Sequence, residues 1–154
     1  MTLRVSLAEI IDGMESQSYV MTSYLNKKTG KVVTITEEEM GAAEEDEPIE
    51  EFPEWEHEGI ETAKEILEGD DYIPLPSQFD IDEYAIMERF CLSIEDDELR
   101  ELMYGAIKGR GAFRRFKNNI HRYNIAEDWY AYRYEALREI AVAWCGENNI
   151  EYRT

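Results

Sequence analysis

The chain has 154 residues, of which 16 are Lys or Arg and 35 are Asp or Glu, so its formal net charge is −19 at pH 7. The length is typical of one domain, and an apolar content of 44% is enough to form a hydrophobic core, which excludes global disorder. A mean field this negative repels phosphate, so it excludes a protein whose whole surface coats nucleic acid or an anionic membrane.

The N-terminal segment is predicted to form a helix and a β-hairpin. Ser6 and Glu9 have the spacing of a capping box at the start of a helix over Ser6–Gln17, whose apolar residues share one face. Tyr19–Leu25 and Lys31–Thr36 are rich in Val, Ile, Thr and Tyr and flank a glycine-containing turn, which is typical of a hairpin. An isolated hairpin is marginally stable, so we expect it to pack on a helix or on further strands.

The next segment, Glu37–Asp71, holds 17 acidic residues and one basic residue, a net charge of −16. Gly41–Pro53 has few large apolar side chains, which predicts a solvated loop or mobile arm there. An acidic loop or arm is accordingly expected at about residues 37–58. A helical pattern resumes at Trp55 and ends at Gly69. Two prolines then favour extended backbone at residues 73–76.

The second half is predicted to consist of four helices, beginning at an N-cap at Asp80 and continuing over about 96–107, 112–123 and 126–145. Gly109-Arg110-Gly111 separates the second of these from the third, and Gly146 is expected to end the fourth. Leu102, Phe113 and Trp129 are among the residues expected to point inward. The sequence thus predicts an α+β fold in a single domain over residues 1–154, with an N-terminal helix and hairpin followed by a mainly helical half.

A basic helix is the most unusual feature of this half. Lys108–Arg122 holds six Lys or Arg and no acid, a charge of +6 inside a chain of −19. At 100° per residue its apolar residues share one face and its cations share the other. Because the guanidinium fork matches two phosphate oxygens, these cations are candidate anion-binding residues. They are Arg110, Arg114, Arg115, Lys117 and Arg122.

Three interpretations of this charge cluster stay open. The arginines pair with neighbouring carboxylates on a solvated face, or they bind the acidic segment Glu37–Asp71 as an intramolecular latch. In the third, they bind an anionic partner such as RNA, DNA or a phosphorylated ligand. The glycines before the helix are consistent with backbone amides presented to a phosphate, and a simple helix break explains them equally well.

Motifs of catalysis and metal binding are missing from the sequence. It has only two histidines, His57 and His121, no HExxH or CxxC, no phosphate-binding GxxxxGK[ST] loop and no GxSxG nucleophile elbow. We therefore predict no metal site and no cofactor, and we assign no catalytic residue. His57, flanked by glutamates, and His121 are both expected to be exposed.

The cysteines and the shortness of the apolar runs indicate where in the cell the protein is located. Cys91 and Cys145 lie among apolar residues, which predicts buried free thiols, with a disulfide as the alternative. Met1–Ile11 does not look like a secretory leader, and the longest purely apolar run, Ile140–Cys145, is too short to span a membrane. These features predict a soluble cytoplasmic protein that contacts no membrane.

Four stretches of the chain are distinctive together: Ile73–Tyr84, Gly109–Lys117, the pair Trp129-Tyr130 with Arg133, and Trp144-Cys145 with Asn149–Tyr152. They resemble the bacterial uncharacterised protein family 0158 (UPF series). The resemblance runs over about residues 3–152, and Gly109–Lys117 with the aromatic helix that follows is its most specific part. It implies a bacterial cytoplasmic protein in which hairpin and helices form one unit, and it implies no activity, cofactor or catalytic residue.

The favoured hypothesis is a non-enzymatic binding or regulatory protein. It would use the basic face within residues 110–122 for nucleic acid or another anionic ligand, gated by its own acidic segment. The first alternative is an acidic decoy, in which residues 37–61 mimic a phosphate backbone and occupy a basic protein. The second is an enzyme acting on an anionic substrate, with the arginines as a phosphate clamp and a carboxylate base.

Overall fold

The structure, a computed structural model, describes residues 3–154 and has the predicted α+β fold. The described residues divide into two compact units. The first comprises residues up to Asp80 together with Ile140–Thr154, and the second comprises Ile81–Glu139. That the whole chain acts as one domain stays a prediction.

The first unit contains a three-stranded antiparallel sheet and a two-stranded parallel ribbon. In the sheet the strand order is β3 (Val32–Thr36), β2 (Met21–Asn26), β4 (Tyr72–Pro74), with Thr22 opposite Ile35 and Leu25 opposite Ile73. The hairpin is confirmed, and the extended stretch predicted after Gly69 supplies the third strand of the sheet. The elements are β1 (Val5–Ser6), α1 (Leu7–Glu15), β2 (Met21–Asn26), β3 (Val32–Thr36), α2 (Glu37–Glu44), a 3₁₀ turn (Ile49–Glu51), α3 (Glu54–Glu68), β4 (Tyr72–Pro74) and β5 (Tyr152–Arg153), with the short α4 (Gln78–Ile81) at its boundary; β1 pairs with β5.

Local chemistry accounts for α1 and the hairpin. The Ser6 hydroxyl accepts the Glu9 amide at 3.3 Å and caps α1, and the apolar face predicted for this helix is buried. In the turn, the Asn26 side chain accepts the Lys28 amide at 2.8 Å. Gly30 takes a φ of +76°, a conformation that glycine adopts without steric cost. The helix and the hairpin are therefore confirmed. Of the predicted capping box, the structure shows the half in which Ser6 accepts the Glu9 amide.

Close approach of α1 to the sheet depends on Gly13. Its carbonyl accepts the hydroxyl of the fully buried Ser23 at 2.8 Å. A Cβ at Gly13 would lie 2.7 Å from methyl groups of both Leu75 and Val32. The helix backbone therefore rests directly on the sheet, and no side chain fits between them.

Gly13→Val is expected to lower the free energy of unfolding by about 1–3 kcal/mol, because the added methyl groups overpack this contact. Urea unfolding followed by circular dichroism measures the change. Gly41→Val is the matched control, since Gly41 also lies in a helix but a Cβ there meets nothing within 4 Å. An equal loss of stability in both variants would contradict the packing explanation.

The loop or arm predicted at about residues 37–58 is wrong over much of its length, because α2 covers Glu37–Glu44, a 3₁₀ turn covers Ile49–Glu51 and α3 begins at Glu54. A full capping box starts α2: the Thr36 hydroxyl accepts the Glu39 amide at 3.1 Å, and the Glu39 carboxylate accepts the Thr36 amide at 2.8 Å. Small residues provide the buried face, since Ala42 and Ala43 are the buried residues of α2. Because this face consists of alanines, the sequence shows no pattern of large apolar side chains that would predict the helix.

The second unit is helical. Its helix α5 begins later than predicted: Asp82 is the N-cap and accepts the Ala85 amide at 3.2 Å, whereas Asp80 accepts hydrogen bonds from Ser77. The final helix does not stop before Gly146 but continues through it. The bounds are α5 (Glu83–Leu92), α6 (Asp97–Ala106), α7 (Ala112–Arg122) and α8 (Ala126–Glu147), with residues 126–139 of α8 in this unit.

An aromatic cluster forms the centre of the second unit. Phe116 and Trp129 meet edge to face with ring centroids 4.7 Å apart, and Phe90 contacts both rings. Two predicted inward residues are wrong, since Phe113 is 54% exposed and Leu102 is 43% exposed. Each lies at the border of the apolar face of its helix, where periodicity alone does not decide burial.

Both cysteines are free and buried, as predicted. Burial raises the pKa of the Cys91 thiol to about 11, and it also raises the pKa of Cys145. Burial thus favours the protonated form of each thiol more strongly than in an exposed cysteine. Over residues 3–154, no helix is both long enough and apolar enough to cross a membrane.

Candidate anion-binding face

The candidate site begins at the break between α6 and α7. Gly109 and Gly111 both have a φ of +77°, and Gly111 is the N-cap of α7 without a side chain that could cap it. The first turn of α7 contains no acidic residue. This helix end therefore lacks the negative side chains that usually offset the partial positive charge of an N-terminus.

Arg115 closes the loop that joins α6 to α7. Its guanidinium donates to the carbonyl oxygens of Ala106 and Lys108, both at 2.7 Å, and to that of Arg110. These three bonds occupy three of its five N–H donors and hold the guanidinium against the loop. We therefore assign Arg115 a positioning role, and its predicted role in anion binding stays a prediction.

The remaining candidate cations lie on α7 and, in the case of Arg110, in the loop that precedes it. Arg110, Arg114 and Lys117 are exposed, and within residues 81–139 their side chains form no ion pair or hydrogen bond. Arg122 is also exposed, with its guanidinium 5.5 Å from the centroid of its neighbour's ring, Tyr123. We call Arg110, Arg114, Lys117 and Arg122 the anion-binding face. The interpretation in which these side chains pair with carboxylates of their own unit finds no such pair there.

Phe113 is the aromatic member of this surface. It is half-exposed, and it lies one helical turn before Lys117 and next to Arg114 in sequence. Its ring meets the Tyr84 ring edge to face at 6.3 Å, and the Tyr84 hydroxyl donates to the Ile107 carbonyl at 2.8 Å. The aromatic ring is thus held in place beside the cations while more than half of its surface faces solvent.

Other residues singled out by sequence have different surroundings. Arg133 donates to both carboxylate oxygens of Glu83, at 2.6 and 3.3 Å, and so joins α5 to α8. His57 is not exposed as expected but half-buried, with Nε2 2.8 Å from the Phe52 carbonyl oxygen. His121 is exposed, as expected. Tyr130 and Tyr134 are exposed one turn apart on α8.

Sequence reasoning missed Glu56, which is buried in the first unit. The available signal was its spacing, because Glu56 shares a helix face with the buried Ile60 and Ala63 at i+4 and i+7. The exposed glutamates around Glu56 make this helical spacing hard to recognise in the sequence. No group of three or more His, Cys, Asp or Glu in the described part of the chain is placed to hold a metal ion.

Comparison with known proteins identifies relatives without a described activity. The model of the uncharacterised protein family UPF0158 matches residues 1–154. A UPF0158 protein of Pseudomonas aeruginosa is 31% identical over 68 residues, and the match covers 44% of this chain and 44% of that protein. The chain thus matches less than half the length of this curated relative. No solved structure matches the chain.

Proposed function

We propose that this chain, which belongs to the uncharacterised protein family UPF0158, is a non-enzymatic cytoplasmic protein that binds single-stranded nucleic acid through its anion-binding face. The observation that carries the proposal is the set of exposed cations without partners in their own unit, placed beside an exposed aromatic ring on the same helix. Cations contact phosphates, and an aromatic ring offers a surface on which a base stacks.

Three features favour a single strand over a duplex. Phe113 is accessible on a convex helix surface, and a stacking contact requires a base that is not already paired and stacked. Arg114 and Lys117 flank this ring within one helical turn, so phosphate and base contacts would be made together. Finally, the charge of −19 opposes association with the densely charged duplex more strongly than with a single strand.

Binding of a single-stranded oligonucleotide should weaken steeply with salt. For three to four phosphate contacts we expect a slope of log affinity against log salt of about −2 to −3. Fluorescence anisotropy with a labelled single strand of about 15 nucleotides measures this slope. The titrations cover about 50 to 200 mM salt, a range in which salt already screens exposed charges substantially.

The same sequence as a duplex is the matched control and should bind more weakly. Absence of single-strand binding at the lowest salt, or an affinity that does not change with salt, would contradict the proposal. The gate formed by residues 37–58 and the acidic decoy over residues 37–61 stay separate predictions, because this slope reports only on the cations that contact phosphate.

A further inference from the structure

A cavity of about 510 Å³ lies in the first unit, beside the first turns of α2 and α3. Its walls include the aromatic Trp55 and the aliphatic Val20, which are 79% and 55% exposed. Four glutamates also line it: Glu37, Glu38, Glu39 and Glu56. The cavity therefore combines apolar surface with four acidic residues in a space large enough for a side chain.

Glu56 is the member of this group that needs an explanation. It is only 7% exposed, and its Oε2 has no hydrogen-bond partner among the described residues. Burial raises the pKa of Glu56, and the nearby carboxylates of Glu38 and Glu39 raise it further, against a small opposite effect of His57. Glu56 thus shares the cavity wall with three glutamates of α2, and two of them, Glu38 and Glu39, act on its charge. A buried carboxylate without a partner is costly, so this position favours a cationic ligand.

The wall that contains Glu39 is held in place in the absence of a ligand. The Glu39 Oε1 accepts the Thr36 amide at 2.8 Å within the capping box of α2. A Cβ at Gly59 would overlap the Glu39 carboxylate, so α3 lies directly against it. Glu39 is therefore fixed by the packing of two helices, and a ligand does not have to order this side chain.

The chemistry of the walls selects the class of cation. A guanidinium is planar, donates to carboxylates in a fork and stacks on an indole ring, so it matches both Glu56 and Trp55. A divalent metal ion is disfavoured, because no described cluster of three or more potential ligands is placed to hold one. An anion would meet four glutamates and is excluded by charge.

We propose that this cavity binds the guanidinium group of an arginine from a basic partner protein, with Glu56 as its carboxylate partner and Trp55 stacked on its face. Glu38 adds negative charge at the rim, and Val20 covers the aliphatic part of the arginine side chain. None of these residues belongs to the anion-binding face. This site and the proposed nucleic-acid contact therefore succeed or fail independently.

Acetyl-arginine amide, titrated into the full chain, should shift the indole N–H resonance of Trp55 in an ¹H–¹⁵N NMR spectrum. Its neutral isostere, acetyl-citrulline amide, should bind at least about tenfold more weakly, because it lacks the charge that pairs with Glu56. Glu56→Gln is expected to weaken arginine binding by a similar factor. Glu58→Gln, the same change on an exposed residue of the same helix, should leave binding unchanged.

Trp55→Ala provides a second test that does not depend on a buried residue, because Trp55 is mostly exposed and its loss leaves the core intact. It should weaken arginine binding, now followed through backbone amides of residues 55–59. Equal binding of the arginine and citrulline probes, no binding of either, or an unchanged affinity in Glu56→Gln would overturn the proposal. So would a loss of binding in Glu58→Gln as large as that in Glu56→Gln.

Discussion

Reversing two charges on the anion-binding face, with Arg114→Glu and Lys117→Glu together, should lower affinity for a single-stranded oligonucleotide about 100-fold or more at about 50 mM salt. Both side chains are exposed and have no ion-pair partner in the described residues of their own unit, so the change removes two phosphate contacts without breaking a structural bond. The two new carboxylates then repel the backbone. Anisotropy titrations of the variant and the parent chain give the ratio.

The matched control is Arg4→Glu together with Arg89→Glu. Both residues are exposed and lie outside α7. The two substitutions change the net charge of the protein by the same amount as the α7 pair. This pair should reduce affinity only slightly, through the long-range field. If the control weakens binding as much as the α7 variant, the interaction follows net charge alone and the anion-binding face has no special role.

Arg115→Met should destabilise the second unit by about 2–4 kcal/mol, because three charge-assisted hydrogen bonds to the loop carbonyls are lost together. Methionine keeps the apolar stem and is unable to donate. Urea unfolding of the second unit, followed by near-ultraviolet circular dichroism of the cluster around Trp129, measures the loss. Arg114→Met on the same helix should change stability by no more than about 0.5 kcal/mol.

These two variants separate structure from binding on one helix. Arg115→Met would weaken ligand binding through the displaced loop, so its effect on affinity alone would not show a phosphate contact. A stability unchanged in Arg115→Met would contradict the positioning role and return Arg115 to the candidate anion-binding residues. Equal destabilisation in Arg114→Met would show that Arg114 has a structural partner.

Local signals predicted a large part of the fold. The capping serine at position 6, the turn around Gly30 and the helical periodicity of residues 112–122 each depend on neighbours within a few positions. The predictions that were wrong concern weaker local signals. The helix over Glu37–Glu44 buries alanines, and Asp80 and Asp82 are both acceptable caps by residue type.

Pairing between distant segments had no signal in the sequence. The ribbon that joins Val5–Ser6 to Tyr152–Arg153 consists of two residues on each side, which is too short for an alternating pattern. Its partners are separated by almost the whole chain. Such contacts depend on where the intervening helices bring the chain ends, and a pattern of apolar residues does not record this.

The sequence by itself determined the distribution of charge and the faces of the helices. The net charges of −16 over Glu37–Asp71 and +6 over Lys108–Arg122 follow from composition, and the division of α7 into apolar and cationic sides follows from its period. Only the tertiary structure decided what each charged group does. Arg115 binds three carbonyls while Arg114 has no partner in its unit, and Glu56 is buried while Glu58 is exposed. The reason is physical: the energy of a charge depends on burial and on partners within a few ångströms, and folding brings these partners from distant positions.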